Sequence, residues 1–299
     1  MRDFQVPELI TNYSCETGEN PLWHPLEKRL YWCDIPSGRM FRYSPETGLH
    51  ESVLQKGILG GFTIEADGAL LLFMAGGSIQ RWHEGELTTI VEGIDDERDS
   101  RFNDVIADPR GRVFCGTMPT PTRPGRLYKL DCDGSLTIML EGIGCANGMA
   151  FSRDLKRMYF TDSDAREIYV FDYEESTGFL SNRRVFVSTR GEDGLPDGAT
   201  IDVEGYLWSA RWDGSCIVRY APDGQEERRI SMPIKKVSSI TFGGENYEDL
   251  YVTSAGALSR SENGPDAGAL FRLRTGIRGV PEFHSRICSG IPNTTVVTR

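Results

Sequence analysis

The segment LKRMYFTD at 155–162 runs almost directly into AREIYVFDYEESTG at 165–178, and this pairing recurs along the chain. The first half is an apolar run of the form Leu-Tyr or Leu-Trp behind a polar turn. Its counterparts are EKRLYWCD at 27–34, DGALLLF at 67–73, RGRVFCGT at 110–117, EGYLWSAR at 204–211 and YEDLYVTS at 247–254. The anchors Leu30, Leu70, Val113, Met158, Leu207 and Leu250 are separated by steps of 40, 43, 45, 49 and 43 residues. The second half alternates apolar and polar residues and ends in turn chemistry, as in SGRMFRYSPETG at 37–48. A third type of segment, such as HESVLQ at 50–55, precedes the next unit. No helical periodicity is sustained over about ten residues. Six units of four short strands at this period predict an all-β chain folded as a six-bladed β-propeller, with four antiparallel strands per blade. A solenoid would need shorter repeats or helices.

The rhythm also predicts how the ring closes. A fourth strand precedes every first strand, and ELITN at 8–12 stands in front of the first unit. It is expected to supply the outer strand of the last blade. Residues 1–299 are read as one propeller domain, with 289–299, which fit no repeat, as a loosely attached tail.

Composition excludes several function classes. With a net charge of −11, the chain would repel a phosphate backbone, so nucleic acid is not an expected partner. No apolar run of about eighteen residues predicts a membrane span. The start MRDFQVPELI lacks the basic and apolar regions of a signal peptide. Seven scattered cysteines without a C-x-x-C pair, and four distant histidines, argue against a thiolate or Cys/His zinc site. The odd cysteine count and the missing export signal favour reduced thiols in the cytoplasm. A monomer or weak homo-oligomer is expected.

In a propeller the first strand of each blade lines the central channel. The position ten or eleven residues before each anchor starts that strand, and it holds Glu19, Gly60, Asn103, Asn147, Asp197 and Ser239. Two carboxylates facing each other across one channel would repel and raise each other's pKa. A cation between them removes the conflict. Oxygen-only donors of mixed charge suit a hard divalent ion, Ca²⁺ first, with Mg²⁺ or Mn²⁺ as alternatives.

Other features carry less. Tyr31-Trp32-Cys33-Asp34 matches the YWTD signature of receptor propellers in one copy only. The acidic run IDDERDS at 94–100 reads as a solvated loop. His24, His83 and His284 have no partner in sequence, and no G-x-S-x-G elbow marks a serine hydrolase.

The strings GENPLWHP, SRFNDVIADPRGRVFCGTM, ANGMAFSRDLKRMYFTDS, LPDGATIDVEGYLWSARWDG and SSITFGGENYEDLYVTSA resemble the gluconolactonase, regucalcin and luciferin-regenerating enzyme family. The resemblance spans essentially residues 10–288. It implies a six-bladed propeller, metal ligands at Glu19, Asn147 and Asp197, substrate contacts from Arg101 and Asn103, and Asp197 as the general base. It implies a hydrolase that opens the ester of a sugar lactone to the aldonic acid with one divalent ion, Ca²⁺ foremost and Zn²⁺, Mn²⁺ or Mg²⁺ as alternatives. A non-catalytic calcium-binding regulatory propeller is the other reading. One departure stands out. Some animal members place a glutamate over the substrate in the loop after the G-T-M strand; here that loop reads MPTPTRPG at 118–125, without a carboxylate. From this loop alone, weak discrimination between hexono- and pentonolactones is expected.

Overall fold

A computed structural model describes residues 6–287 and 296–297. In it the second strand of each repeat is buried on both sides. Met158 and Phe160 pack toward the preceding blade, while Tyr159 between them packs toward the next. This explains why these strands read as unbroken apolar runs rather than as alternating ones. All six anchors are at most 2% exposed.

Six sheets result, each antiparallel in its blade strands and joined in sequence order from the channel outward. Blade 1 comprises Gly18–His24, Arg29–Asp34, Arg39–Tyr43 and His50–Gln55. Blade 2 comprises Leu59–Ile64, Leu70–Met74, Ile79–His83 and Glu86–Val91. Blade 3 runs through Phe102–Ala107, Val113–Thr117, Gly125–Leu130 and Leu136–Ile143. Blade 4 is built from Ala146–Phe151, Arg157–Asp162, Glu167–Glu174 and Phe179–Ser188. Blade 5 uses Leu195–Ile201, Leu207–Trp212, Cys216–Tyr220 and Glu226–Ser231. Blade 6 takes Val237–Gly243, Asp249–Ser254 and Ala269–Arg274, and its outer strand is Glu8–Asn12. The closure read from the sequence is therefore present: Leu9 pairs with Phe271 and Asn12 with Ala269.

The core is not central. It is divided into six apolar clusters, each shared by two neighbouring blades, and the sixth joins blade 6 to blade 1 through Trp23, Trp32, Phe41 and Tyr251. Burial between blades leaves the axis free for polar side chains. The tail expected from 289 onward lies outside the described residues, except Val296–Val297, which pair in parallel with Leu136 and Thr137 of blade 3.

One segment had no counterpart in the repeat. After blade 6 the chain passes from a bridge at Gly279–Asp202 in blade 5 to one at Ser285–Glu65 in blade 2. Glu282 and Phe283 from this segment line a cavity of about 40 Å³ on the axis, with Asn20, Thr63, Asp104 and Ser239. The Thr200 hydroxyl donates to Glu282 Oε1 at 3.3 Å. Burial, with the Asp104 charge adding to it, pushes the Glu282 carboxyl up to about 7. An acid raised in the folded chain costs nothing where both states are protonated. Its penalty grows as pH rises past the unfolded pKa, near 4.3, and is complete above the folded one. Glu282→Gln is therefore expected to be more stable than the unaltered chain at pH 8, by about 1–3 kcal/mol. The gain should vanish near pH 4. Thermal melts of both proteins across that range check this, and a gain independent of pH would contradict it.

Candidate active site

Each innermost strand carries one extra residue against its neighbour, and the irregularity falls at or beside the ring position in all six blades. A bulge re-aims side chains. Here it turns consecutive residues toward the axis: Glu19 and Asn103 line one cavity, while Asn20 and Asp104 line the smaller one beside it. Asn20 takes a left-handed φ of 49° at this point, and its Oδ1 accepts a hydrogen bond from the Phe62 amide of the next blade. The glycine in Asn147-Gly148 and in Asp197-Gly198 serves close approach. A Cβ on Gly148 would strike the Asp197 carbonyl, and one on Gly198 would stand 2.7 Å from the Cα of Ser239.

The larger cavity, about 290 Å³, is lined by Glu19, Arg101, Asn103, Asn147 and Asp197 together with residues from the turns above them. A directed chain of hydrogen bonds fixes its floor. Arg101 Nη1 donates to Asn103 Oδ1 at 2.6 Å, and Asn103 Nδ2 donates to Asn147 Oδ1 at 2.9 Å. Asn147 Nδ2 donates to Ser163 Oγ at 2.8 Å, and that hydroxyl donates to the Pro196 carbonyl at 2.6 Å. Each link needs a donor on one side and an acceptor on the other, so neither amide can turn over without setting like groups together. Asn147 Oδ1 keeps its second lone pair for another partner.

The electrostatics of the floor are out of balance. Burial, with the Asp104 charge next in size, pushes the Glu19 carboxyl up to about 8. Burial and then Glu19 and Asp104 hold the Asp197 carboxyl well above the usual carboxylate range. Arg101 is the cation that acts on both. Among the described residues no three His, Cys, Asp or Glu side chains are arranged to hold a metal. What meets here is two carboxylates and an amide oxygen from three blades, a hard donor set. A divalent cation would relieve the repulsion, so Glu19, Asn147 and Asp197 fit such an ion.

The structure thus brings together all five residues singled out in the sequence. Of the ring as a whole, Gly60 offers no side chain, and Ser239 lines the smaller cavity, bonding Glu19 from there. The sequence reading missed Asp104, whose only local signal was its place after Asn103 at a bulge. It also missed Met118, Cys145, Ser163 and Asp164, which line the cavity from loops and turns, and Leu195 and Trp212, which line it from strand ends of blade 5.

The acidic run needs correction. Glu97 is fully buried in a short 3₁₀ turn, Asp95–Glu97. It accepts hydrogen bonds from Tyr128 at 2.7 Å and from Arg123 at 2.6 Å, and pairing lets it leave water. Arg123 of the 118–125 loop is thereby turned to Glu97, and Met118 is the member of that loop that lines the cavity. His24 is a buried structural residue, its Nε2 3.0 Å from the Gly68 carbonyl.

Known proteins share this fold. The sequence profile of the SMP-30/Gluconolactonase/LRE-like region matches residues 17–256. The chain is 48% identical to the pentonolactonase XacC of Haloferax volcanii over 288 residues, covering 94% of this chain and 98% of that protein. It is 31% identical to regucalcin of Xenopus laevis, covering 91% of this chain and 96% of that one. Among solved structures, a luciferin-regenerating enzyme superposes with a TM-score of 0.87 at 28% identity, covering 94% of this chain and 99% of that one. With the profile spanning five whole blades and the two inner strands of the sixth, and a relative this similar end to end, the chain belongs to the SMP-30/gluconolactonase/LRE-like family.

Proposed function

We infer that this protein is a lactonase that hydrolyses sugar lactones to aldonic acids, using a divalent cation held by Glu19, Asn147 and Asp197. The observation that carries this reading is that Glu19, half-buried, and Asp197, buried, meet at the floor of a cavity that also exposes Arg101. Likeness to a pentonolactonase over nearly the whole chain supports the substrate class. When bound, the ion supplies Lewis-acid polarisation of the ester carbonyl and positive charge for the oxyanion.

The chain's own residues do the rest. Asp197 takes the proton from the water that attacks the carbonyl carbon, and returns it to the ring oxygen as the acyl C–O bond breaks, leaving the open-chain acid. Its side chain is held on a strand whose glycine fixes the distance to blade 6, so the base has little freedom to drift. Arg101 donates to hydroxyl oxygens of the substrate through the guanidinium nitrogens that Asn103 does not occupy. Asn103 contacts the substrate and also locks Asn147 in register. These groups supply positioning rather than bond-making.

The test is acid release from a panel of lactones with divalent ion present and the spontaneous rate subtracted. Xylonolactone, galactonolactone and gluconolactone span pentoses and hexoses. Turnover of at least one sugar lactone well above background is expected. No turnover of any, with ion shown to be bound, would leave the non-catalytic binding propeller as the better account.

A further inference from the structure

Resting on the lactonase reading, we propose that Asp164 is a specificity-determining residue: its carboxylate accepts hydrogen bonds from the substrate's ring hydroxyls, the task for which the 118–125 loop has no carboxylate. Asp164 lies in the turn between the second and third strands of blade 4 and lines the cavity across which Arg101, Leu195 and Trp212 also stand. It makes no side-chain hydrogen bond or ion pair with any described residue, whereas neighbouring carboxylates are engaged.

The turn is built to hold it there. Asp162 Oδ2 accepts the Gly144 amide at 3.1 Å, and its Oδ1 accepts those of Cys145 and Ala165 at 3.2 and 3.3 Å. The Ser163 amide donates to the Cys145 carbonyl at 3.0 Å. These bonds stitch the turn to the entry of blade 4. They press it so close that a Cβ on Gly144 would stand 2.5 Å from the Cβ of Asp164. Asp164 is itself exposed, so what holds it is the anchored turn: Gly144 leaves no room beside its Cβ, and its carboxylate stands at the cavity wall.

The complementary chemistry is that of a polyol. Arg101 offers only donors and an ionised Asp164 only acceptors, and a hydroxyl can answer either. Trp212 and Leu195 present apolar surface for the C–H side of a sugar ring, and Lys236 Nζ, 4.5 Å from the centre of the Trp212 ring, helps to hold the indole in place. A cavity of about 290 Å³ suits one monosaccharide. A site that hydrogen-bonds a hydroxyl through a charged acceptor discriminates strongly against an analogue lacking it. Weak discrimination, expected from the 118–125 loop alone, therefore does not follow once Asp164 is counted.

The experiment compares Asp164→Ala and Asp164→Asn with the unaltered chain on a sugar lactone and on δ-valerolactone, which has the ester but no hydroxyls. For the sugar lactone, kcat/KM should fall about 10- to 100-fold in Asp164→Ala, mainly through KM, with Asp164→Asn intermediate. For δ-valerolactone the fall should stay below about threefold. The ratio of the two substrates separates substrate contact from damage to the fold, which would lower both. Equal losses on both lactones, or no loss on the sugar lactone, would overturn the assignment. Failure of the unaltered chain to open either lactone would overturn the lactonase reading and this assignment with it.

Discussion

Asp197→Asn should lower kcat for sugar-lactone opening by about 10² to 10⁴ while the protein stays folded. Asparagine keeps the shape and one oxygen donor of the side chain but removes both its charge and its basicity. The position is unforgiving. Asp197 is 4% exposed, and a Cβ on its neighbour Gly198 would stand 2.7 Å from the Cα of Ser239, so the strand that carries it has no room to shift and bring another base into its place. The chain should still fold, because the substitution removes a carboxyl that burial, and then Glu19 and Asp104, already disfavour as an anion, and the only expected loss of stability is that of the weakened ion site. Asn103→Ala makes the useful contrast. It deletes a neutral contact and unhooks Asn147 from Arg101, so its effect should be smaller and shared between kcat and KM. Steady-state kinetics with a thermal melt of each variant decide this. Near-normal turnover in Asp197→Asn would remove the residue from its assigned role.

Stripping divalent ions with a chelator should reduce lactone opening to the spontaneous rate and also lower the melting temperature. Both effects follow from one feature. Glu19, Asn147 and Asp197 come from blades 1, 4 and 5, and the two carboxylates among them crowd a channel in which Asp104 adds a third negative group. An ion bound to the folded chain but not to the unfolded one stabilises the fold by mass action, ~2.7 kcal/mol at a hundredfold excess over Kd. Re-addition of Ca²⁺, Zn²⁺, Mn²⁺ or Mg²⁺ should restore activity to differing extents, since the donors are all oxygens and the ions differ in size and preferred geometry. Loss of activity without any change in melting would place the ion away from the blade junctions. Full activity in a sample shown by elemental analysis to be metal-free would contradict the metal site.

The sequence made the propeller legible because the physics repeats. Each second strand is buried on both faces between blades, so Leu30, Met158 and Leu207 had to be apolar in every copy. Counting back from them reached the axis. The ring residues stood out because polar side chains recur where a purely structural channel needs none. What stayed hidden does not repeat. Asp104 and Asn20 face the channel through bulges, and a bulge breaks the alternation from which facing is read. Asp164 sits in a turn of blade 4 and Trp212 at a strand end of blade 5, and which residues these places bring together depends on how the two blades lean on each other. The segment that closes the axis, including Glu282, follows the last repeat and obeys no period. Glu97 was misread because its charge suggested solvent, while its partners Arg123 and Tyr128 lie 26 and 31 residues further along the chain.

The most direct test of the account is a titration of Ca²⁺ into chelated protein, following sugar-lactone opening and bound ion in the same sample. Turnover should rise in proportion to bound ion and reach its plateau at one ion per chain. Turnover already at its maximum before the first addition, or a site that fills while no sugar lactone is opened, would contradict it.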